Sequence, residues 1–180
     1  MRTVIKKWFW MWEFDKEERW LTEMAAKGLC LVGVGWCRYE FEDCVPGEYT
    51  VRMELLDNPP AHAESRKYIS FIEETGAEQI GSYMRWVYFR RKSELGSFDL
   101  FSDNASRVRH LKRILFMVGL LDGFNAFVAL YNLFIGLAWD STVNIVCACI
   151  SAAVAVPLTV GFVRLWKKMR ALQKEQTIFE

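Results

Sequence analysis

Charge is missing from one long stretch of this chain. Between Ile114 and Val163 the only charged residues are Asp122 and Asp140, with no lysine or arginine. Over the whole chain the charges nearly cancel, to a formal +1. That excludes a global basic field for nucleic acid and an acidic field for cationic partners. Histidine is almost absent: His62 and His110 stand far apart, beside no nucleophile pattern and in no H-E-x-x-H motif. No P-loop and no G-x-G-x-x-G occurs, so nothing in the sequence points to a catalytic site, a cofactor or a metal. The cysteines Cys30, Cys37, Cys44, Cys147 and Cys149 form no C-x-x-C and lie at no zinc-finger spacing. Their odd number reads as free thiols in a reducing compartment rather than a disulfide or metal role. The basic start, Met1 to Lys7, runs into aromatics and charges without a long apolar region, which argues against a cleaved signal peptide.

What the uncharged stretch does contain is two apolar runs. Ile114–Trp139 covers about 39 Å and Val143–Val163 about 32 Å at helical rise, each enough for a hydrocarbon core of about 30 Å. Asp140-Ser141-Thr142 between them allows only a tight hairpin. Arg107, Arg109, Lys112 and Arg113 precede the first run, and Arg164, Lys167, Lys168, Arg170 and Lys174 follow the second. This asymmetry predicts a multi-pass protein of the cell membrane with both termini cytosolic. Trp139 and Trp166 sit where interfacial aromatics belong. Asp122, Asn125, Ala129, Asn132 and Gly136 form one stripe, and Asn144, Ala148, Ser151, Ala155 and Thr159 another, as packed membrane helices use. Gly119 and Gly123 add a G-x-x-x-G pair, and Pro157 predicts a kink. A carboxylate inside the bilayer must be paired, neutral or hydrated. In an antiparallel hairpin Asp122 falls opposite Thr159, with Asn125 on its own face, so it is expected to bond one of these.

The front region, residues 1–92, reads as a cytosolic α+β domain. Trp8, Trp10, Trp12 and Phe14 alternate as a strand with one apolar face. Asp15 is an N-cap with Glu18 at capping-box spacing, and Trp20, Leu21, Met24 and Ala25 continue as a helix to Gly28. Leu29–Phe41 reads as a second strand and Tyr49–Leu55 as a third. Ala61–Thr75 reads as a second helix and Ile80–Arg90 as a fourth strand. The order is β-α-β-β-α-β, ferredoxin-like, with no internal repeat. A polar linker and basic juxtamembrane helix (93–113), the hairpin (114–163) and a basic cytosolic tail (164–180) follow.

An aromatic ladder on such a sheet could stack RNA bases, but Tyr49–Glu54 lacks the basic-Gly-aromatic string of that module, and core packing is preferred. Glu13, Arg52, Glu54 and Arg85 fall on polar strand positions. On a shared open face they would be candidates for a small ligand or protein partner, against the plainer reading of solvated ion pairs.

The strings Leu55-Leu56-Asp57-Asn58-Pro59, Phe71-Ile72-Glu73-Glu74-Thr75-Gly76, Arg85-Trp86-Val87-Tyr88-Phe89-Arg90 and Phe98-Asp99-Leu100-Phe101-Ser102-Asp103 resemble an uncharacterised bacterial family, domain-of-unknown-function family 2812. That resemblance covers about the first 110 residues. It implies a small membrane protein with a cytosolic front domain, in a regulatory setting near PadR-type transcriptional repressors. The expectation is thus a non-enzymatic regulatory or sensory protein, bound to the lipid bilayer, engaging a protein partner, a small ligand or a second copy of itself. The rival is an accessory or transport-related subunit that uses the polar stripes Asp122, Asn125, Asn132, Asn144, Ser151 and Thr159.

Overall fold

The computed structural model describes residues 2–101 and 103–178, with side chains described as far as Glu175; the end of the basic tail lies outside the described residues. The chain divides into a front unit, residues 1–106, and a helical unit, residues 107–180.

The front unit is α+β, with six strands rather than four. In order they are β1 (Arg2–Lys6), α1 (Phe14–Ala26), β2 (Leu29–Gly35), β3 (Arg38–Asp43), β4 (Tyr49–Leu55), α2 (Ala63–Glu74), β5 (Ala77–Tyr83) and β6 (Trp86–Lys92). The ferredoxin-like β-α-β-β-α-β order is not what forms. The strands make two antiparallel three-stranded sheets, ordered β1-β3-β2 and β4-β6-β5. Each sheet is one β-α-β-β unit, so the front domain is an internal repeat that the sequence reading did not find.

The repeat is visible in matched details at equal sequence separation. Both helices stop at a glycine in the left-handed region, Gly28 and Gly76. Both second strands carry a bulge, between Leu31 and Gly33 and between Gln79 and Gly81. Both hairpins turn on two residues, Trp36-Cys37 and Met84-Arg85. Both third strands bury a phenylalanine completely, Phe41 and Phe89.

The two expected long strands, Leu29–Phe41 and Ile80–Arg90, are therefore each cut by a hairpin turn. The expected strand at Trp8–Phe14 is not a strand: Met11–Glu13 form a 3-10 turn and Phe14 already belongs to α1. Glu18 does not close a capping box. Its Oε1 accepts the Met53 N–H at 2.8 Å, so α1 satisfies a backbone donor of β4, the edge strand of the other sheet.

The two repeats meet at Glu17. Tyr39 of β3 and Tyr88 of β6 both donate to its Oε1, at 2.8 and 2.6 Å. Burial pushes the Glu17 carboxyl up from its ordinary value, while the two phenols hold it down. It raises both tyrosine pKa values as well. The strands β2 and β5 adjoin, and a Cβ on Gly81 would lie 3.1 Å from Val34 Cγ2, so glycine there permits the approach. The second repeat has its own apolar cluster, in which Ile69 and Ile72 of α2 meet Val87 and Phe89. Phe98 belongs to that cluster, with Leu100 packed beside it and the Arg91 guanidinium over the Phe98 ring. Part of the expected linker is thus core.

One expectation about cysteine fails outright. Cys30 and Cys44 are joined as a disulfide, with Cα atoms 5.9 Å apart. Cys30 is the second residue of β2, beside the end of β3 and in register with Glu42, and this brings it against the residue that follows Asp43. Cys37, Cys147 and Cys149 are free thiols.

The helical unit is made of α3 (Asn104–Ala138) and α4 (Thr142–Ile178). Both are long and apolar enough to cross a membrane. Their large apolar residues, Phe116, Phe124, Phe127, Phe134, Ile150 and Val156 among them, face outward and stay exposed. Core helices of a soluble protein would bury these side chains. Pro157 lies within α4, which continues through it as one helix.

Candidate functional site

The front unit carries a row of aromatic rings built from two connections and the end of a strand. The segment after β1 supplies Trp8, Trp10 and Trp12. The β2–β3 turn supplies Trp36, and the end of β5 supplies Tyr83. Trp12 stacks on Trp10 with centroids 4.9 Å apart, Trp10 meets Trp8 edge-on at 5.5 Å, Trp8 meets Trp36 at 5.7 Å, and Trp36 meets Tyr83 at 5.7 Å. The Lys7 N–H donates to the Cys37 carbonyl and pins the first segment to the turn. The row therefore crosses from one repeat to the other.

Much of it faces water: Trp8 is 53% exposed, Trp10 40%, Trp36 65%, and the neighbouring Met84 70%. The ladder expected to fill the core is split instead, with Phe14 inside and Trp8 and Trp10 outside. Nothing in a period-two pattern distinguishes these outcomes, because the segment is not a strand. The rim carries charges of both signs, as the pairs Arg38–Glu40 and Lys16–Glu13. Lys7 is held over the rings of Phe9 and Trp20.

The four candidate polar residues do not line one solvated sheet face. Glu13 sits in the 3-10 turn, accepting from Lys16 and from the Trp10 N–H. Glu54 is buried and accepts the Tyr68 hydroxyl of α2. Arg52 donates to its neighbour's carbonyl at Val51 and helps hold down the pKa of Glu18. Even so, burial pushes the Glu18 carboxyl up to about 7. Arg85 lies in the β5–β6 turn, where its Nε donates to the Leu56 carbonyl at 2.7 Å.

The two polar stripes of the hairpin meet at one pair of side chains. Thr159 Oγ1 lies 2.9 and 3.1 Å from the two carboxylate oxygens of Asp122, the pairing expected from the hairpin register. Asn125 and Asn132 turn back to their own helix and donate to the carbonyls of Leu121 and Val128. Asn144 donates to Ser141, and Ser151 is half-buried between Ala148 and Ala155, which are buried. A Cβ on Gly136 would lie 2.7 Å from Ile145 Cγ1, so only glycine fits there. The G-x-x-x-G pair is divided: Gly119 lies against Phe162, and Gly123 faces open space.

No curated protein and no solved structure matches the chain. A family model described as "Protein of unknown function (DUF2812)" matches residues 13–121, more than half of the sequence, and the chain belongs to that family.

Proposed function

We propose that this chain is a non-enzymatic, membrane-anchored regulatory protein. Its hairpin crosses a bacterial cell membrane twice, and its front domain engages a protein partner from the cytosol. The observation that carries the partner reading is the exposed row Trp8, Trp10 and Trp36 with Met84 beside it. Large amphipathic rings held rigidly at a surface are the anchors that protein interfaces use, and an exposed apolar patch of this kind marks an interaction site. The mixed-sign rim favours a protein over an anionic membrane surface, which selects clustered basic residues. The PadR-type repressor setting implied by the family resemblance makes such a repressor the first partner to test.

The rival, an accessory or transport-related subunit, would use the polar stripes of the hairpin as a path. Asp122 is instead paired with Thr159, and Asn125 and Asn132 donate to carbonyls of their own helix. These are packing contacts and support the anchor reading.

A photo-activatable residue at position 36 of the full chain, in native membranes, tests the proposal. One discrete protein adduct is expected, lost when Trp8 and Trp10 are both replaced by serine. Adducts only with lipid, or an adduct indifferent to Trp8 and Trp10, would refute it.

A further inference from the structure

Cys30 and Cys44 are not alone. Glu48 lies with them, and one donor atom from each residue falls within 4.8 Å of the other two. The three come from the start of β2, the residue after β3 and the turn into β4, so they sit where the first repeat hands over to the second. They line a cleft of about 700 Å³ that also presents Glu42 and Asp43. We propose that this cluster is a site for a thiophilic divalent cation of the zinc class, available when the cysteine pair is reduced.

The framework is built for it. Cys44 is fixed by its N–H donating to the Gly28 carbonyl at 2.9 Å, and Cys30 by its place in the ladder. The Val45 N–H donates to Glu48 Oε2 at 3.3 Å, which orients the carboxylate and leaves Oε1 for a ligand. Outer contacts of this sort set the direction of a metal ligand. Two thiolates and a carboxylate are accepted zinc ligands, and three protein donors leave a fourth position for water. Arg90 also lines the cleft, but its guanidinium is paired with Glu78 at 2.8 Å and rests on the Tyr49 ring. Its charge is thereby balanced, as is that of Glu42, which is paired with Arg2 Nε at 2.7 Å, so the cation is held by the three donors themselves.

Loading takes two balanced steps. Two molecules of a low-molecular-weight thiol reduce the bond, giving the Cys30 and Cys44 thiols and one disulfide of the reductant. The ion then displaces the two thiol protons and binds two thiolates. In a cell this rests on the cytosolic orientation of the front domain, where thiols stay reduced; in a tube it does not.

The test uses the full chain in detergent with cadmium(II) as the probe. After reduction by a phosphine, one equivalent should produce a thiolate-to-cadmium absorption band, and zinc should compete it away. The oxidised chain should show no band. Replacing Cys37, Cys147 and Cys149 together by serine should leave the band unchanged, and Cys30→Ser with Cys44→Ser should remove it. Glu48→Gln, which keeps both cysteines and the fold, should weaken binding at least tenfold. A reduced chain without the band, a band that survives loss of Cys30 and Cys44, or a disulfide that resists reduction in the folded chain would each overturn the proposal.

Discussion

At the scale of single residues, buried carboxylates decide how this protein responds to its surroundings. The Glu18 carboxyl, raised to about 7 by burial, binds its proton more tightly in the folded state than in the unfolded one. Its contribution is fully present below the ordinary carboxylate range and is lost as pH rises through 7. At about 1.4 kcal/mol per pKa unit, the front domain should lose on the order of 2 kcal/mol of stability between pH 5 and pH 8. Chemical denaturation at the two pH values measures this, and Glu18→Gln should reduce the difference, leaving the part that the likewise raised Glu17 carboxyl contributes; an unchanged slope in that variant would assign the dependence elsewhere. Within the hairpin, the Asp122–Thr159 contact should show a coupling of about 0.6 kcal/mol in a double-mutant cycle, the mean for hydrogen bonds between membrane helices, whose largest values are about 1.7 kcal/mol. Replacing Asp122 by leucine and Thr159 by valine, singly and together, supplies the cycle; zero coupling would mean that the bond does not hold the helices. This pair was legible because a short loop fixes the register of two helices. The Cys30–Cys44 bond was not, because it depends on a β-hairpin whose turn carries no turn residue.

At the scale of elements, the same turns explain why β2 with β3, and β5 with β6, each read as one long strand; β1 was missed separately, and the strand expected at Trp8–Phe14 does not form. Trp36-Cys37 and Met84-Arg85 contain no glycine, asparagine or aspartate, the residues that two-residue hairpins favour. Cys37 and Met84 nonetheless adopt φ values of 50° and 54°. Such backbone costs about 1–2 kcal/mol in a residue with a side chain, which packing must offset, and no local pattern announces it. The helices were easier: Leu21, Met24 and Ala25, then Ile69 and Ile72, recur at helical spacing and are buried. Phe98 was misplaced because its neighbours Gly96, Ser97 and Asp99 are polar or small, and only tertiary packing marks it as core. It predicts where the front domain ends. Residues 1–106 expressed alone should melt cooperatively, and Phe98→Ala in that fragment should cost about 3–5 kcal/mol. A fragment ending at residue 95 should be destabilised as strongly. Equal melting of the two fragments would remove Phe98 from the core.

At the scale of the whole molecule, the chain joins a duplicated front unit to a pair of long apolar helices. A doubled β-α-β-β unit gives two sheets, joined at the Glu17 tyrosine pair, and a row of aromatics that neither half could build alone. The repeat escaped the sequence because its two copies share little beyond paired glycines and a phenylalanine, and their other side chains have diverged. The two long apolar helices were the most legible feature, since they rest on composition spread over many residues. The central claim is that a hairpin holds this domain at the cytosolic face. Reporter fusions after Ser106 and at Glu180, and an insertion at Ser141, test it directly. Cytosolic activity is expected from the first two and an external signal from Ser141. A cytosolic signal from Ser141 would contradict the claim.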